Sequence, residues 1–321
     1  MGILEWVGGV STNSPAGITT ETLVVIEDSS PSPDRFTNDV PVVLFAKYPE
    51  PGRVKTRLGA HVGFERATEW AKALLVASLR RFGTIPGAPL ILAGDRPTRE
   101  PYAHWLPPEV GYCVQGEGSL GDRLTRIFGE PPRLDGAMPP GVIALGADAP
   151  HLDPTVIARA ADAIRRGEFA LGPAEDGGYY LLGVPCGAVD LGALFPKSGW
   201  GESGVLARTR RVLTEAPLPP QRPSARRRDP ERVTSDPEWT SGHPRAKISR
   251  TVEFGTLRDI DTWDDVVPFA RDWIAAEDPQ ESAREGAGLP GGSDHGSSAA
   301  SFIGLREHAP ELWDLAHGRG R

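Results

Sequence analysis

A carboxylate that follows a long apolar run is the first candidate for chemistry in this chain. The run VIALGADAP, residues 142–150, is apolar at nearly every position and contains Asp148 near its end. This pattern is typical of a strand buried on both faces, and ligands of open α/β sheets bind outside the carboxyl ends of such strands. Asp148 could therefore hold Mg²⁺ or Mn²⁺, and the ion could hold phosphate oxygens. The alternative is a helix cap before Pro154, for which Asp153 is better placed.

A basic loop follows the first buried strand of the sequence. The run VPVVLFA, residues 40–46, leads into KYPEPGRVKTRLG, residues 47–59. The basic residues of this loop are Lys47, Arg53, Lys55 and Arg57. Glycine turns and helix N-termini favour anions, and lysine and arginine supply compensating charge for a diphosphate. A solvated basic loop is the alternative, because the loop has neither the Walker pattern nor GxGxxG.

A further carboxylate, Asp176, lies in the segment AEDGGYYLLG. Gly177 and Gly178 permit a tight turn and the close approach of a ligand to the backbone. A carboxylate here, beside a metal crevice, could act as a base toward an acceptor or bind a sugar hydroxyl. Tyr179 and Tyr180 alternate between the faces of a strand, and core packing is the expected role of each.

Strands alternate with helices along most of the chain, which predicts a mostly parallel, doubly wound sheet. Strands are predicted at residues 40–46, 89–93, 110–115, 142–146 and 169–171, the last broken at GPAEDGG and resumed at 179–184. Helices are predicted at residues 65–82, 119–128, 154–166 and 201–215, and within DIDTWDDVVPFARDWI.

The composition excludes several classes of protein. With 35 basic and 43 acidic side chains the net charge is −8, which argues against a general nucleic-acid or membrane-surface binder. Cys113 and Cys186 have no CxxC spacing, so we expect no disulfide framework or zinc site and a cytoplasmic protein. The apolar runs are strand-sized, shorter than the roughly 20 residues of a membrane span.

Three segments lack the periodicity of the rest. We expect residues 1–38 to form a poorly ordered extension, about 217–250 a flexible insertion, and 277–321 a low-complexity tail with a possible short helix. Residues 39–276, with the insertion inside them, are predicted to form one domain.

Five segments resemble a known family by their order and spacing. They are AKYPEPGRVKTRL, QGEGSLGDRL, LGADAPHL, GPAEDGGYYLLG and DIDTWDDV. Together they resemble the DUF2064 group of glycosyltransferase-like proteins, related in fold to phospholactate guanylyltransferase and molybdenum-cofactor guanylyltransferase. The resemblance spans about residues 40–275 without the insertion. It implies a GT-A (Rossmann-like) fold, a three-layer α/β/α sandwich with a mostly parallel central sheet.

The resemblance also implies roles for individual residues. Asp148 resembles the acidic residue that stands in for the DxD metal ligand of GT-A enzymes. Asp261 resembles a second carboxylate that related nucleotidyltransferases bring to the same ion, and Asp259 is a neighbour that could substitute. The alternative for Asp261 is a negative charge at the start of the next helix. The segment that would wrap the nucleotide diphosphate contains Lys47, Lys55 and Arg57.

Two other segments depart from the family pattern. Gln115 and Arg123 are retained as candidate nucleotide or phosphate contacts, but Ser119 stands where the family more often has an acidic residue. The family's Trp-Ser-Thr segment appears here as WGES, residues 200–203, in the region implied for acceptor recognition. His151 could reach the ion, or it could be structural.

The sequence thus predicts a metal-dependent glycosyltransferase, with Asp176 and Asp148 as catalytic residues. It would move a sugar from a nucleotide-diphosphate sugar to an unknown acceptor. One alternative is a nucleotidyltransferase that joins a nucleoside triphosphate to a phosphorylated small molecule, because the same loop and metal serve both reactions. The other is a non-catalytic nucleotide-binding module.

Overall fold

The computed structural model describes residues 39–196, 204–216 and 250–277, with side chains to residue 272. The predicted extension (1–38), the WGES segment and the predicted tail beyond residue 277 lie outside the described residues, as does the predicted insertion up to residue 249. The three assignments of extension, insertion and tail therefore stay predictions.

The described chain forms a seven-stranded sheet from its apolar runs. The strands are β1 (Val42–Ala46), β2 (Leu90–Gly94), β3 (Gly111–Val114), β4 (Gly141–Gly146), β5 (Phe169–Pro173), β6 (Tyr179–Pro185) and β7 (Thr251–Glu253). Their order is β3-β2-β1-β4-β6-β5-β7. Among these strands only β6 runs antiparallel to its neighbours. The carboxyl ends of β1, β2, β3 and β4 consequently meet at one edge.

Helices cover both faces of the sheet. They are α1 (Thr56–Val62), α2 (Phe64–Phe82), α3 (Leu120–Gly129), α4 (Pro154–Arg165), α5 (Leu191–Leu194), α6 (Val205–Glu215) and α7 (Trp263–Glu277). Leu44 and Ile143 belong to one core with α2 and α4, whereas Val43 and Ala144 belong to another with α3 and α6. Because side chains alternate along a strand, both faces are apolar. The predicted three-layer α/β/α sandwich with a mostly parallel sheet is confirmed.

The prediction of one interrupted strand at residues 169–184 is wrong. β5 and β6 are separate strands that pair antiparallel, with Leu171 opposite Leu182. Gly177 has φ +87°, a conformation that suits glycine, and the Asp176 carboxylate accepts a hydrogen bond from Gly178 N at 2.8 Å. These contacts reverse the chain, so Asp176 lies at the tip of a hairpin.

A short helix, α1, occupies the end of the predicted basic loop. Its Leu58 is fully buried in a small third core with Trp70, Leu74 and Phe269. Leu58 and Val62 are the α1 residues that pack in this core, and two apolar residues four positions apart are too few to indicate a helix from the sequence. Within the described part of the chain, no helix combines the length and apolar character needed to cross a bilayer.

Close backbone packing in β4 gives a stability prediction. A Cβ at Gly141 would lie 2.5 Å from the Val184 carbonyl oxygen, so Gly141→Ala must push β4 away from β6. We expect the free energy of unfolding, measured by urea denaturation, to fall by about 1–3 kcal/mol.

Gly146→Ala in the same strand is the matched control. Its nearest new neighbour would be Tyr180 O at 3.9 Å, an ordinary contact, so little change is expected. Equal stability of the two variants would contradict the packing described for β4 and β6.

Candidate active site

A cleft of about 500 Å³ opens at the carboxyl ends of β1, β3 and β4. Its polar lining consists of Lys47, Arg53, Lys55, Thr56, Gln115, Arg123, Asp148 and Asp261. Four cationic side chains thus face two carboxylates, and the charges come from four separate regions of the chain. This composition suits a ligand that carries several negative charges beside a cation.

Lys55 lies between the two carboxylates of the cleft. Its Nζ is 2.7 Å from Asp148 Oδ1 and 3.5 Å from Asp261 Oδ1. The Lys55 side chain is only 5% exposed, whereas the side chains of Asp148 and Asp261 are 49% and 42% exposed. Lys55 also precedes α1 in a left-handed conformation, with φ 44° and ψ 45°. The sequence predicted a charged loop residue but not this conformation.

A backbone hydrogen bond brings Asp261 to Asp148. Ile260 N donates to Asp148 O at 3.1 Å, and the Ile260 side chain is fully buried. Asp265, not Asp261, accepts hydrogen bonds from Thr262 N at 2.7 Å and from the Thr262 hydroxyl. Capping of α7 is therefore supplied by Asp265, and the Asp261 carboxylate faces the cleft.

Asp259 belongs to the same acidic group. Burial and, after it, the nearby charges of Asp148, Asp176 and Asp261 raise the pKa of Asp259 to about 7, against the opposing effect of Lys55. Four carboxylates from the loop after β4, the β5–β6 turn and the segment before α7 therefore lie close enough to interact. From the sequence, Asp259 was identified only as a possible substitute for Asp261.

The donor set of Asp148 and Asp261 fits a hard divalent cation. Both are carboxylates, and both already contact one positively charged atom, Lys55 Nζ. In the described ranges no three His, Cys, Asp or Glu side chains form a group that could hold a metal by themselves. Mg²⁺ characteristically keeps several waters and binds one or two carboxylates together with substrate phosphates. The arrangement fits that mode and not an all-protein cage.

Gln115 uses its amide to organise the cleft floor. Nε2 donates to Ala46 O at 2.8 Å and to Ala93 O at 2.6 Å, at the carboxyl ends of β1 and β2. Oε1 accepts from Arg123 Nη1 at 2.6 Å, so Gln115 holds the Arg123 side chain. The predicted contact between Gln115 and the nucleotide stays a prediction.

Arg123 projects from the first turn of α3. Ser119, the departure from the family pattern, caps this helix in a capping box with Asp122: Asp122 N donates to Ser119 Oγ at 3.2 Å and Ser119 N to Asp122 Oδ2 at 2.9 Å. Arg123 Nε also donates to Gly118 O at 3.1 Å. Among the described residues Arg123 contacts no carboxylate, so its charge is directed to the cleft.

The other basic residues differ in how they are held. Arg53 contacts Glu50 at 2.8 Å and Asp95 at 3.6 Å, while Lys47 is exposed and pairs with no carboxylate of the described residues. Arg57 lies at the rim, 77% exposed and 3.4 Å from Asp261 Oδ2.

Asp95 is a residue that sequence reasoning missed. It follows β2, and its carboxylate accepts hydrogen bonds from Tyr48 N at 2.7 Å and the Tyr102 hydroxyl at 3.0 Å. Through the hydrogen bond from Tyr48 and its ion pair with Arg53, Asp95 holds residues 48–53, the first half of the basic loop, at both ends. The available signal was an Asp directly after the apolar run of residues 90–94, the pattern that identified Asp148.

Five other residues singled out in the sequence lie apart from the cleft lining. Asp176 is exposed at the hairpin tip. It belongs to the acidic group because its charge helps to raise the pKa of Asp259. Tyr179 packs against one core and Tyr180 within the other, as expected. His151 is buried, with its ring 5.4 Å from that of Phe269. The structural alternative for His151 is therefore the one observed. Asp153 caps α4 by accepting from Thr155 N at 2.8 Å.

A family model supports the assignment made from the motifs. Residues 78–202 match the family described as "Uncharacterized protein conserved in bacteria (DUF2064)". The DUF2064 resemblance is confirmed. The DUF2064 match contains Gln115, Arg123, Asp148 and Asp176, whereas Lys55 and Asp261 lie outside it. Comparison with curated proteins gives no significant match.

Three solved structures are similar to this chain, and the first of them shares its fold. A candidate nucleotide-diphospho-sugar transferase from Desulfovibrio desulfuricans G20 is 22% identical, with a TM-score of 0.55 over 88% of this chain and 98% of that one. A cytidylyltransferase from Leptospira borgpetersenii is 11% identical, with a TM-score of 0.41 over 85% and 96% of the two chains. The manganese complex of Rv0371c from Mycobacterium tuberculosis H37Rv is 17% identical, with a TM-score of 0.34 over 71% and 95%. Only the first score establishes a common fold.

The buried His151 predicts a pH-dependent difference in stability. Burial lowers the pKa of His151 to about 4, with help from the charges of Arg81 and Arg258. Between pH 6.5 and about pH 4, His151 is protonated in the unfolded chain but neutral in the folded chain. This difference lowers the free energy of unfolding as the pH falls toward 4. Relative to His151→Gln, the wild type should lose about 1.4 kcal/mol per pH unit in that window, measured by urea unfolding near pH 7 and near pH 5.

Asp259 acts in the opposite direction in the same range. Its raised pKa lets the folded chain take up a proton first, which adds stability as pH falls below about 7. This contribution is present in both proteins and cancels in the difference. A wild-type-to-variant gap that does not change with pH would contradict the neutral, buried His151.

Proposed function

We propose that this protein is a metal-dependent glycosyltransferase that uses a nucleotide-diphosphate sugar. The observation that carries the proposal is the convergence of Asp148 and Asp261 on one cationic atom, Lys55 Nζ, in a cleft lined by further cations. The location at the carboxyl ends of β1, β3 and β4 is where α/β sheets bind nucleotides. The fold shared with a candidate nucleotide-diphospho-sugar transferase supports the same class of substrate.

The cationic side chains divide the work of binding the diphosphate. Lys47 and Arg123 line the cleft and contact no carboxylate among the described residues. The Lys47 ammonium and the N–H donors of Arg123 that do not bond Gln115 or Gly118 are therefore available for phosphate oxygens. Arg53 lies between Glu50 and Asp95, which limits its movement and fixes its charge near the loop. Gln115 holds Arg123 against the floor. Preorganised cations of this kind stabilise the negative charge that develops on a leaving diphosphate.

Asp148 and Asp261 are the proposed ligands of Mg²⁺ or Mn²⁺. When bound, such an ion supplies Lewis-acid neutralisation of the diphosphate as it leaves. Asp259 keeps a carboxyl group beside these ligands, and Arg57 can reach Asp261 from the rim.

Asp176 is the proposed acceptor-side group. Asp176 is exposed at the hairpin tip, outside the cleft lining, and this position supports a role toward an acceptor while the cleft binds the donor. Asp176 Oδ1 accepts the hydrogen bond from Gly178 N within the turn. Asp176 Oδ2 is therefore the atom that can orient or deprotonate a hydroxyl of the acceptor.

A nucleotidyltransferase is the second candidate, and one observation favours it. Asp148 and Asp261 both contact Lys55 Nζ. They resemble the two carboxylates, from distant segments of the chain, that related nucleotidyltransferases bring to one metal ion. In that reaction a phosphorylated small molecule attacks the α-phosphate of a nucleoside triphosphate, and pyrophosphate leaves. The same cations would then hold the triphosphate.

A thermal-shift panel on wild type and Asp148→Asn tests the metal-nucleotide site. The panel contains UDP-, GDP- and dTDP-sugars, GTP, CTP and UTP, each with Mg²⁺, Mn²⁺ or EDTA. We expect one nucleotide sugar with metal to raise the wild-type midpoint by about 5 °C or more at a hundredfold excess over Kd, because it binds only the folded state. Asp148→Asn should lose that shift.

Asp264→Asn controls for the change in charge. Asp264 is exposed in the first turn of α7, three positions from Asp261, and it should keep the full shift. A shift confined to a nucleoside triphosphate would favour the nucleotidyltransferase. Binding without turnover would favour a non-catalytic module, and a folded protein with no shift would refute the proposed site.

Asp176→Asn separates binding from transfer. The Asn oxygen can still accept from Gly178 N, so the turn is kept while the base is removed. Once the donor is known, release of nucleoside diphosphate should fall by about a hundredfold or more, with an unchanged thermal shift. Glu175→Gln, next to it in the same turn, should retain activity. Equal loss in both variants would argue against a specific role of Asp176.

A further inference from the structure

Lys55 combines three properties that distinguish it from the other basic residues of the loop. Its backbone is left-handed at φ 44°, its side chain is 5% exposed, and its Nζ lies between two carboxylates. Lysine rarely adopts this backbone conformation and is rarely buried without a partner. In contrast, Lys47 and Arg57 are exposed. The two carboxylates therefore hold the Lys55 side chain in place.

The contacts of Lys55 coincide with the proposed ligands of the divalent ion. Nζ is 2.7 Å from Asp148 Oδ1 and 3.5 Å from Asp261 Oδ1. An ion bound to the same two carboxylates would lie against the ammonium, and two positive charges at such a distance repel strongly in a half-buried site. Ammonium and ion therefore cannot both use these oxygens fully.

The charges favour an exchange that depends on the nucleotide. Two carboxylates and one ammonium leave a net charge of −1 at this point. A divalent ion added to them alone would reverse that charge to +1. A diphosphate brings further negative charge and offers the ammonium new oxygens, and Lys55 lines the same cleft as Lys47 and Arg123. The lysine side chain is flexible enough to change partners.

We propose that Lys55 is an internal cation that competes with the divalent ion for Asp148 and Asp261 and moves to the diphosphate when the ion binds. This inference rests on the proposed function. The consequence is that metal and nucleotide bind cooperatively: each raises the affinity for the other by the same factor. Without nucleotide, Lys55 weakens metal binding and neutralises one of the two negative charges of the acidic pair.

Lys55→Met tests the competition between Lys55 and the divalent ion without removing either proposed metal ligand. The variant keeps the length of the side chain and removes its charge, so Mn²⁺ alone should bind roughly fivefold or more tightly than to wild type. The factor by which UDP or GDP tightens Mn²⁺ binding should become smaller. Binding is measured on the full chain by the decrease of the free Mn²⁺ electron paramagnetic resonance signal, without and with each nucleoside diphosphate.

Two further variants complete the design. Lys55→Gly removes the charge and suits the positive φ, so it provides the same test if the methionine variant does not fold. Lys72→Met removes the charge of an exposed lysine of α2 that lies outside the cleft lining, and it should leave the affinity for Mn²⁺ alone within about twofold of wild type. Asp148→Asn should abolish Mn²⁺ binding in every condition.

The outcomes distinguish this inference from the function on which it rests. Tighter binding of Mn²⁺ alone to both Lys55 variants, with reduced coupling, supports competition. If Asp148→Asn abolishes binding but the Lys55 variants bind Mn²⁺ no more tightly than wild type, the metal site stands and the competition is refuted. If neither wild type nor the Lys55 variants bind Mn²⁺ under any condition, both are refuted.

Discussion

The site depends on one backbone hydrogen bond, from Ile260 N to Asp148 O. It attaches a segment late in the chain to the loop after the central strand β4. Ile260 is buried beside α1 and α2, and Phe269 of α7 packs against His151, so the bond lies within a dry, packed corner. Without this attachment the cleft would have one carboxylate instead of two.

Much of the fold could be predicted because apolar runs and helical periodicity are local signals. The run ending near Asp148 identified β4 and its functional edge, and the cap at Asp153 was predictable for the same reason. The β5–β6 reversal was not, since the segment at residues 169–184 is apolar on both sides of its turn. Nothing in periodicity alone distinguishes an interrupted strand from a hairpin.

The site was predictable in its residue types but not in its contacts. Asp148 and the basic loop followed from pattern, and Asp261 was identified only by family resemblance. The conformation of Lys55, the buried amide of Gln115 and the raised pKa of Asp259 depend on residues far away in sequence. Burial and long-range charge produce these properties, and no local motif encodes them.

The hairpin formed by β5 and β6 has a consequence for diversification. Its turn, residues 174–178, is closed by its own hydrogen bonds, including Ala174 N to Gly178 O at 3.1 Å. The same turn is joined to the segment that carries Asp259 and Asp261, because Glu175 N donates to Leu257 O at 3.0 Å and Arg258 pairs with Glu175 at 2.8 Å. Under the proposed function, a change in the turn would therefore alter the acceptor side and the candidate metal ligands together. Evolution or protein engineering would have to vary both sides of the candidate site at once.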